Sequence, residues 1–114
     1  MRILTTTLML SFTLASFAAD WPQFRGPNRD GVSTEKGLAE QWPEKGPELL
    51  WKSEGLGGGW SSVAIADKTI YTMGDLEDAC YLFALDLQGK QLWKARVGEP
   101  KGHRGYPGPR STPT

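Results

Sequence analysis

The chain has 114 residues, with 13 basic and 13 acidic side chains and a formal net charge of zero. That length suits one small domain, and the charge balance removes the electrostatic case for nucleic acid or an anionic membrane surface as a partner. Glycine (14) and proline (8) favour turns over long helices, and the single Cys80 excludes an internal disulfide framework and a CxxC metal site.

Residues 1–18, MRILTTTLMLSFTLASFA, read as a secretory signal peptide. Arg2 supplies the basic start, an apolar run extends to Ala15, and Ser16 and Ala18 suit the −3 and −1 positions of a signal peptidase site. A membrane anchor would need about 20 strongly apolar residues. This run is shorter, carries five Thr or Ser residues between Thr5 and Thr13, and has no basic stop-transfer flank. No cysteine stands at the cleavage point to take a lipid. The expectation is a soluble exported protein, periplasmic or extracellular, without a membrane anchor and beginning at Ala19. Loss of Arg2 leaves 12 basic against 13 acidic residues, a net charge of −1.

Residues 19–47 form an irregular N-terminal arm. In DWPQFRGPNRDGVS (20–33) the large apolar Trp21 and Phe24 stand among Pro22, Gly26, Pro27 and Gly31, which break helices and strands alike. The stretch STEKGLAEQWP allows one helical turn, capped by Ser33 or Thr34 and stopped by Pro43. From Glu48 the texture becomes that of strands. ELLWKS (48–53) is a short apolar run and GLGGG (55–59) a flexible break. WSSVAIA (60–66), TIYTM (69–73), CYLFALD (80–86) and QLWKARV (91–97) follow, joined by Asp67-Lys68, the polar loop GDLEDA (74–79) and the turn LQGK (87–90). Four short strands with short turns make an antiparallel meander.

The strand YLFAL (81–85) is apolar on both faces, so its sheet must be covered on both. The chain also repeats itself. LLWKSEG (49–55) recurs as QLWKARVG (91–98), with Trp51 and Trp93 42 residues apart, and a serine in GWSSVA (59–64) recurs in GPRSTPT (108–114), Ser61 to Ser111 spanning 50. A period in the forties with four strands per unit is the mark of propeller blades, each sandwiched between two neighbours. The small residues Ser61, Ser62, Ala64 and Ala66 suit an inner strand near the axis where blades converge.

At ALDLQGKQLWK (84–94) the chain resembles the repeat of the PQQ-like β-propellers, the quinoprotein alcohol dehydrogenase-like superfamily. Their blade signature A-x-D-x-x-x-G-K-x-x-W is matched by Ala84, Asp86, Gly89, Lys90 and Trp93, with one residue fewer between the aspartate and the glycine and with Gln88 where the family usually has threonine. WPQFRGPNRDGVS and the following LLWK also look like the lead-in of exported members. The resemblance implies an all-β fold, a β-propeller fragment. It comprises the arm (19–47), a closing strand (48–53) that joins the last blade as its outermost strand, one four-stranded antiparallel blade (60–97) and the start of a second blade (108–114). It implies that Asp86 closes the turn between the third and fourth strands, that Gly89 takes the strained turn position, and that Trp93 lies flat against the backbone of an adjacent blade. A ring of blades needs at least four, so the expectation is the N-terminal piece of a longer protein.

Sequence signals for chemistry are few. PNRDG (27–31) resembles part of a calcium loop, but the aligned positions 1 and 12 fall on Gly26 and Gly37. GLGGGW (55–60) lacks the sixth glycine and the following helix of a dinucleotide fingerprint, and GWSSV lacks the final glycine of a nucleophile elbow. His103 is the only histidine. Lys101, His103, Arg104 and Arg110 form a basic loop, read either as a solvated link between blades or as an anion contact at the mouth of a central channel. Cys80 reads as a buried small hydrophobe. No catalytic or metal-binding residue is assigned, and the cysteine pair, calcium ligands and catalytic aspartate of the family's dehydrogenases map onto no residues here. The expected function is therefore an exported, non-catalytic propeller that binds a protein or small molecule at its face, or scaffolds, in the bacterial envelope. The alternative is the N-terminal part of a dehydrogenase using pyrroloquinoline quinone and calcium, with its active site beyond residue 114.

Overall fold

A computed structural model describes residues 19–100 and 105–114; residues 1–18, with the signal-peptide reading, and Lys101, His103 and Arg104 of the basic loop lie outside them. The described residues build one four-stranded antiparallel sheet in the order β1-β2-β3-β4, with β1 at Ala64–Ala66, β2 at Thr69–Asp75, β3 at Cys80–Leu85 and β4 at Gln91–Gly98. The fold is all-β. Among the described residues there is no helix, and none long and apolar enough to cross a membrane.

The meander follows from its turns. Asp67 and Lys68 both have positive φ, 48° and 61°, the geometry of a two-residue hairpin whose twist matches the flanking strands. The pairs Ile65↔Ile70 and Ala64↔Tyr71 set the β1–β2 register, and Tyr71↔Ala84 and Thr72↔Phe83 set that of β2–β3. The β3–β4 ladder is shifted between Ala84 and Leu85 and again between Cys80 and Tyr81. Such irregularities add twist to an outer strand.

Alternation sorts the side chains onto two faces. Ile70, Phe83 and Leu85 form the buried core of one face, with Leu56, Ile65, Leu76 and Tyr81 packed around them. Phe83 is fully buried, a burial worth roughly 2–3 kcal/mol. Leu56 lies over this face because the backbone of its segment comes very close to the sheet. Gly58 and Asp75 exchange backbone hydrogen bonds of 2.8 and 2.9 Å, and a Cβ on Gly74 would collide with the carbonyl of Leu56. The opposite face carries Ala64, Tyr71, Leu82, Ala84 and Trp93. It is covered in part by the final segment, where Pro113 and Thr114 border a space beside Ala64, Ala66, Tyr71 and Leu82.

The arm closes the free edge of β1. Trp21 N–H donates to the Ile65 carbonyl at 2.8 Å, and the Trp21 carbonyl accepts from Ile65 N–H at 2.9 Å, satisfying backbone groups that an edge strand leaves open. The Trp21 ring lies on Gly26, where a Cβ would stand within 2.8 Å of three ring carbons. Phe24 remains exposed.

Several local expectations change. ELLWKS (48–53) pairs with none of these four strands, and Leu49 and Leu50 are 76% and 81% exposed; the closing strand expected there belongs to a last blade outside these residues. The inner strand is three residues; ahead of it, Trp60 N–H donates to the Pro109 carbonyl at 2.8 Å. β2 extends through Gly74 and Asp75, which the polar loop was expected to hold, because they pair with Tyr81 and Cys80 of β3, and Gly58 bridges to Asp75 from the other side. Residues 34–43 form no helical turn, and residues 108–114 form no strand.

Candidate functional site

The motif residues converge at the end of β3 and the turn into β4. Asp86 Oδ1 accepts the N–H groups of Gln88 and Lys90, both at 2.9 Å. Asp86 N–H donates to the Lys90 carbonyl at 2.9 Å, and Gly89 N–H donates to the Asp86 carbonyl at 3.0 Å. One carboxylate thus ties the turn to both strand ends. The Gln88 side chain plays no part in these bonds. Gly89, at φ 79°, occupies the left-handed region that side chains disfavour.

Gly89 has a second reason to lack a side chain. The six-membered ring of Trp51 lies against it, so a Cβ there would collide with ring carbons Cε3 and Cζ3. Trp51 belongs to the segment that continues to Leu56 on the core face. The turn is therefore a seat for an indole ring from a segment 38 residues upstream.

Ala84 explains the other tryptophan. In the ladder Tyr71, Ala84 and Trp93 stand in one row across β2, β3 and β4. Ala84 is fully buried and so small that Tyr71 and Trp93, two strands apart, bring their ring centroids to 6.0 Å. The outer side of Trp93 remains open, with 45% of its surface exposed, and Val97 is open beside it. Beyond them a groove of about 360 Å³ runs between Met73, Cys80, Val97 and the segment Gly108–Ser111. Cys80 is buried at its floor.

Two further clusters are not evident from the sequence. On the core face, Tyr81 donates its phenol proton to Asp78 Oδ2 at 2.7 Å and has the Lys94 ammonium 4.4 Å above its ring. That hydrogen bond holds the Asp78 carboxyl below its usual range and pushes the Tyr81 phenol up. At the first strand's entry, the rings of Trp60 and Tyr106 meet edge to face at 5.7 Å, and the Arg110 guanidinium lies 5.5 Å from the Tyr106 ring. Arg110 also donates to the Tyr106 carbonyl at 3.3 Å. Of the basic loop, this is the one residue within the described chain. Close by, Ser61 Oγ donates to the Ser111 carbonyl, joining the two serines related by the sequence repeat.

No group of three or more His, Cys, Asp or Glu side chains is placed to hold a metal ion among the described residues. The chemistry on view is that of packing: a ring seat, an open apolar row and backbone contacts between segments. Comparison with protein-family models, with curated proteins and with solved structures finds no match for this chain.

Proposed function

We propose that the sheet is one blade of an exported PQQ-like β-propeller, a non-catalytic module that binds or scaffolds a partner in the bacterial envelope. The observation that carries this reading is the Trp51 ring on Gly89. It places a Leu-Trp-Lys segment from outside the sheet against the glycine of the turn, and the same tripeptide recurs in β4. Contacts between neighbouring units are how stacked repeats bury their faces. The Ser61–Ser111 bond supports the same reading, since it joins equivalent points of successive repeats, and the Trp60–Pro109 bond lies beside it. On this reading, further repeats outside these residues complete the ring, and the partner meets the propeller's face.

The deciding assay is reduction of an artificial electron acceptor with an alcohol substrate, pyrroloquinoline quinone and calcium, run on the product of the whole gene. The quinone carries three carboxylates and needs a closed cationic pocket with a metal to polarise its reactive carbonyl. No dye reduction, with the strand signal intact by circular dichroism, supports the binding module. Quinone-dependent, saturable reduction would replace it with a dehydrogenase.

A further inference from the structure

The arm holds Arg25, Gly26, Arg29 and Gly31 in the left-handed region, at φ 64°, 80°, 58° and 74°. Glycine meets that geometry without steric cost and asparagine with little; arginine does neither. The packing of the arm does not ask for arginine. Both side chains are exposed. The local backbone bonds, Arg29 N–H to the Gly26 carbonyl at 3.1 Å and Gly31 N–H to the Arg25 carbonyl at 2.9 Å, are open to any residue. One hydrogen bond aims each guanidinium: Arg25 Nη2 donates to the Asp30 carbonyl at 3.3 Å, and Arg29 Nε donates to Gln23 Oε1 at 3.0 Å. Most donors of each fork remain for another acceptor. The Asp30 carboxylate accepts from the Val32 N–H at 2.9 Å instead. Among the described residues no carboxylate lies within ion-pair distance of either arginine.

We propose that Phe24, Arg25 and Arg29 are a binding site for an acidic segment of a partner protein, one that offers two carboxylates and an apolar side chain. The three residues line one hollow of about 400 Å³ with Gln23 and Thr114. A guanidinium takes a carboxylate through two parallel N–H···O bonds, so two guanidiniums match two carboxylates. Phe24, 61% exposed, matches the apolar side chain, which a free inorganic anion lacks. An anionic membrane fits less well, because the site is a hollow and the chain from Ala19 has a net charge of −1. The backbone strain then has a reason: positions suited to glycine are held by arginine for what the side chains bind. The site rests on the binding-module reading and deepens it by naming the partner's chemistry.

The test titrates the product of the whole gene into a dye-labelled peptide, acetyl-Glu-Glu-Leu-Glu-Glu amide, followed by fluorescence anisotropy. Saturable binding is expected, weakening as salt rises. Arg25→Gly with Arg29→Gly is expected to weaken it by about tenfold or more. The melting temperature of that variant is expected to stay level or rise, because glycine relieves both backbone positions. Phe24→Ser is expected to weaken binding and leave melting unchanged. Exchanging the peptide's leucine for serine, or its glutamates for glutamines, is expected to weaken binding likewise. No binding by the wild type overturns the proposal, as when another part of the chain fills the hollow. Binding indifferent to the two glycines also overturns it. A lower melting temperature with the two glycines makes the arginines structural and overturns it too. So does tighter binding of inorganic phosphate or of phosphatidylglycerol vesicles than of the peptide. Absent peptide binding with a negative dye assay sinks this site alone. Quinone-dependent dye reduction sinks the binding module whatever the peptide does.

Discussion

The smallest determinants of this sheet are single atoms placed against backbone. Asp86 Oδ1 satisfies two N–H groups that otherwise have no partner in the turn. Asp86→Ala is expected to cost about 1–2 kcal/mol in urea unfolding, with Asp86→Asn intermediate, since its amide oxygen accepts without charge. The Asp67-Lys68 turn is the opposite case: it pays for its geometry with two side chains at positive φ. Asp67→Asn combined with Lys68→Gly is expected to raise stability by about 1 kcal/mol, because asparagine and glycine adopt this turn readily. The Asp78–Tyr81 bond gives a pH signature with a definite sign. The folded Asp78 carboxyl lies below its ordinary 3.8, so its contribution is present above that value and fades as pH falls through the folded one. The folded Tyr81 phenol lies above its ordinary 10.0, so its contribution is present below that value and fades as pH rises through the folded one. Tyr81→Phe is expected to move the Asp78 titration, followed by carboxyl carbon NMR, back up toward 3.8. An unmoved titration would show that the hydrogen bond is not its cause.

At the scale of elements, the sheet is held by close backbone approaches that only small residues permit. Gly74 faces the Leu56 carbonyl. Gly74→Ala is expected to push that segment away from β2 and to cost about 1–3 kcal/mol, as overpacking does. Amide exchange at Gly58 and Asp75, whose bridge depends on the approach, should accelerate before that of the β2–β3 ladder. Ala84→Leu tests the other face, since a larger side chain separates the Tyr71 and Trp93 rings and overpacks the row by about 1–3 kcal/mol. Loss of near-ultraviolet ellipticity from those rings would report it. The four strands and their order were legible in the sequence, because alternation and turn residues are local signals. The extent of β1 and β2 was not. β2 runs on to Asp75 because the β3 ladder continues to the Asp75–Cys80 pair, across a loop whose polar residues read as a turn, and near the start of β1 Trp60 bonds to Pro109, far away in the chain.

For the molecule as a whole, the two faces of the sheet have unequal fates. The Ile70–Phe83–Leu85 face is covered by Leu56. The opposite face is covered only in part, with Trp93 and Val97 open. The chain from Ala19 is therefore expected to associate through that open face at high concentration, with broadened NMR signals concentrated at Tyr71, Trp93 and Val97. Uniformly sharp signals at all concentrations would mean that the face is already satisfied and that a neighbouring blade is unnecessary.

The sequence alone determined the all-β class, the strand order and the identity of the tight turns, because each depends on residues within a few positions of one another. The apolar pattern of YLFAL also required cover on both faces. Only the tertiary structure decided what supplies that cover and where each tryptophan goes. Trp51 and Trp93 sit in nearly the same local sequence, yet one lies on the Gly89 turn and the other stands on the open face. Their difference comes from chain connectivity: Trp51 precedes a flexible glycine-rich stretch that lets it reach the turn, while Trp93 is held in β4 by the ladder to Ala84. Side-chain identity specifies that an indole seeks an apolar seat, but which seat it reaches depends on the path of the backbone between them.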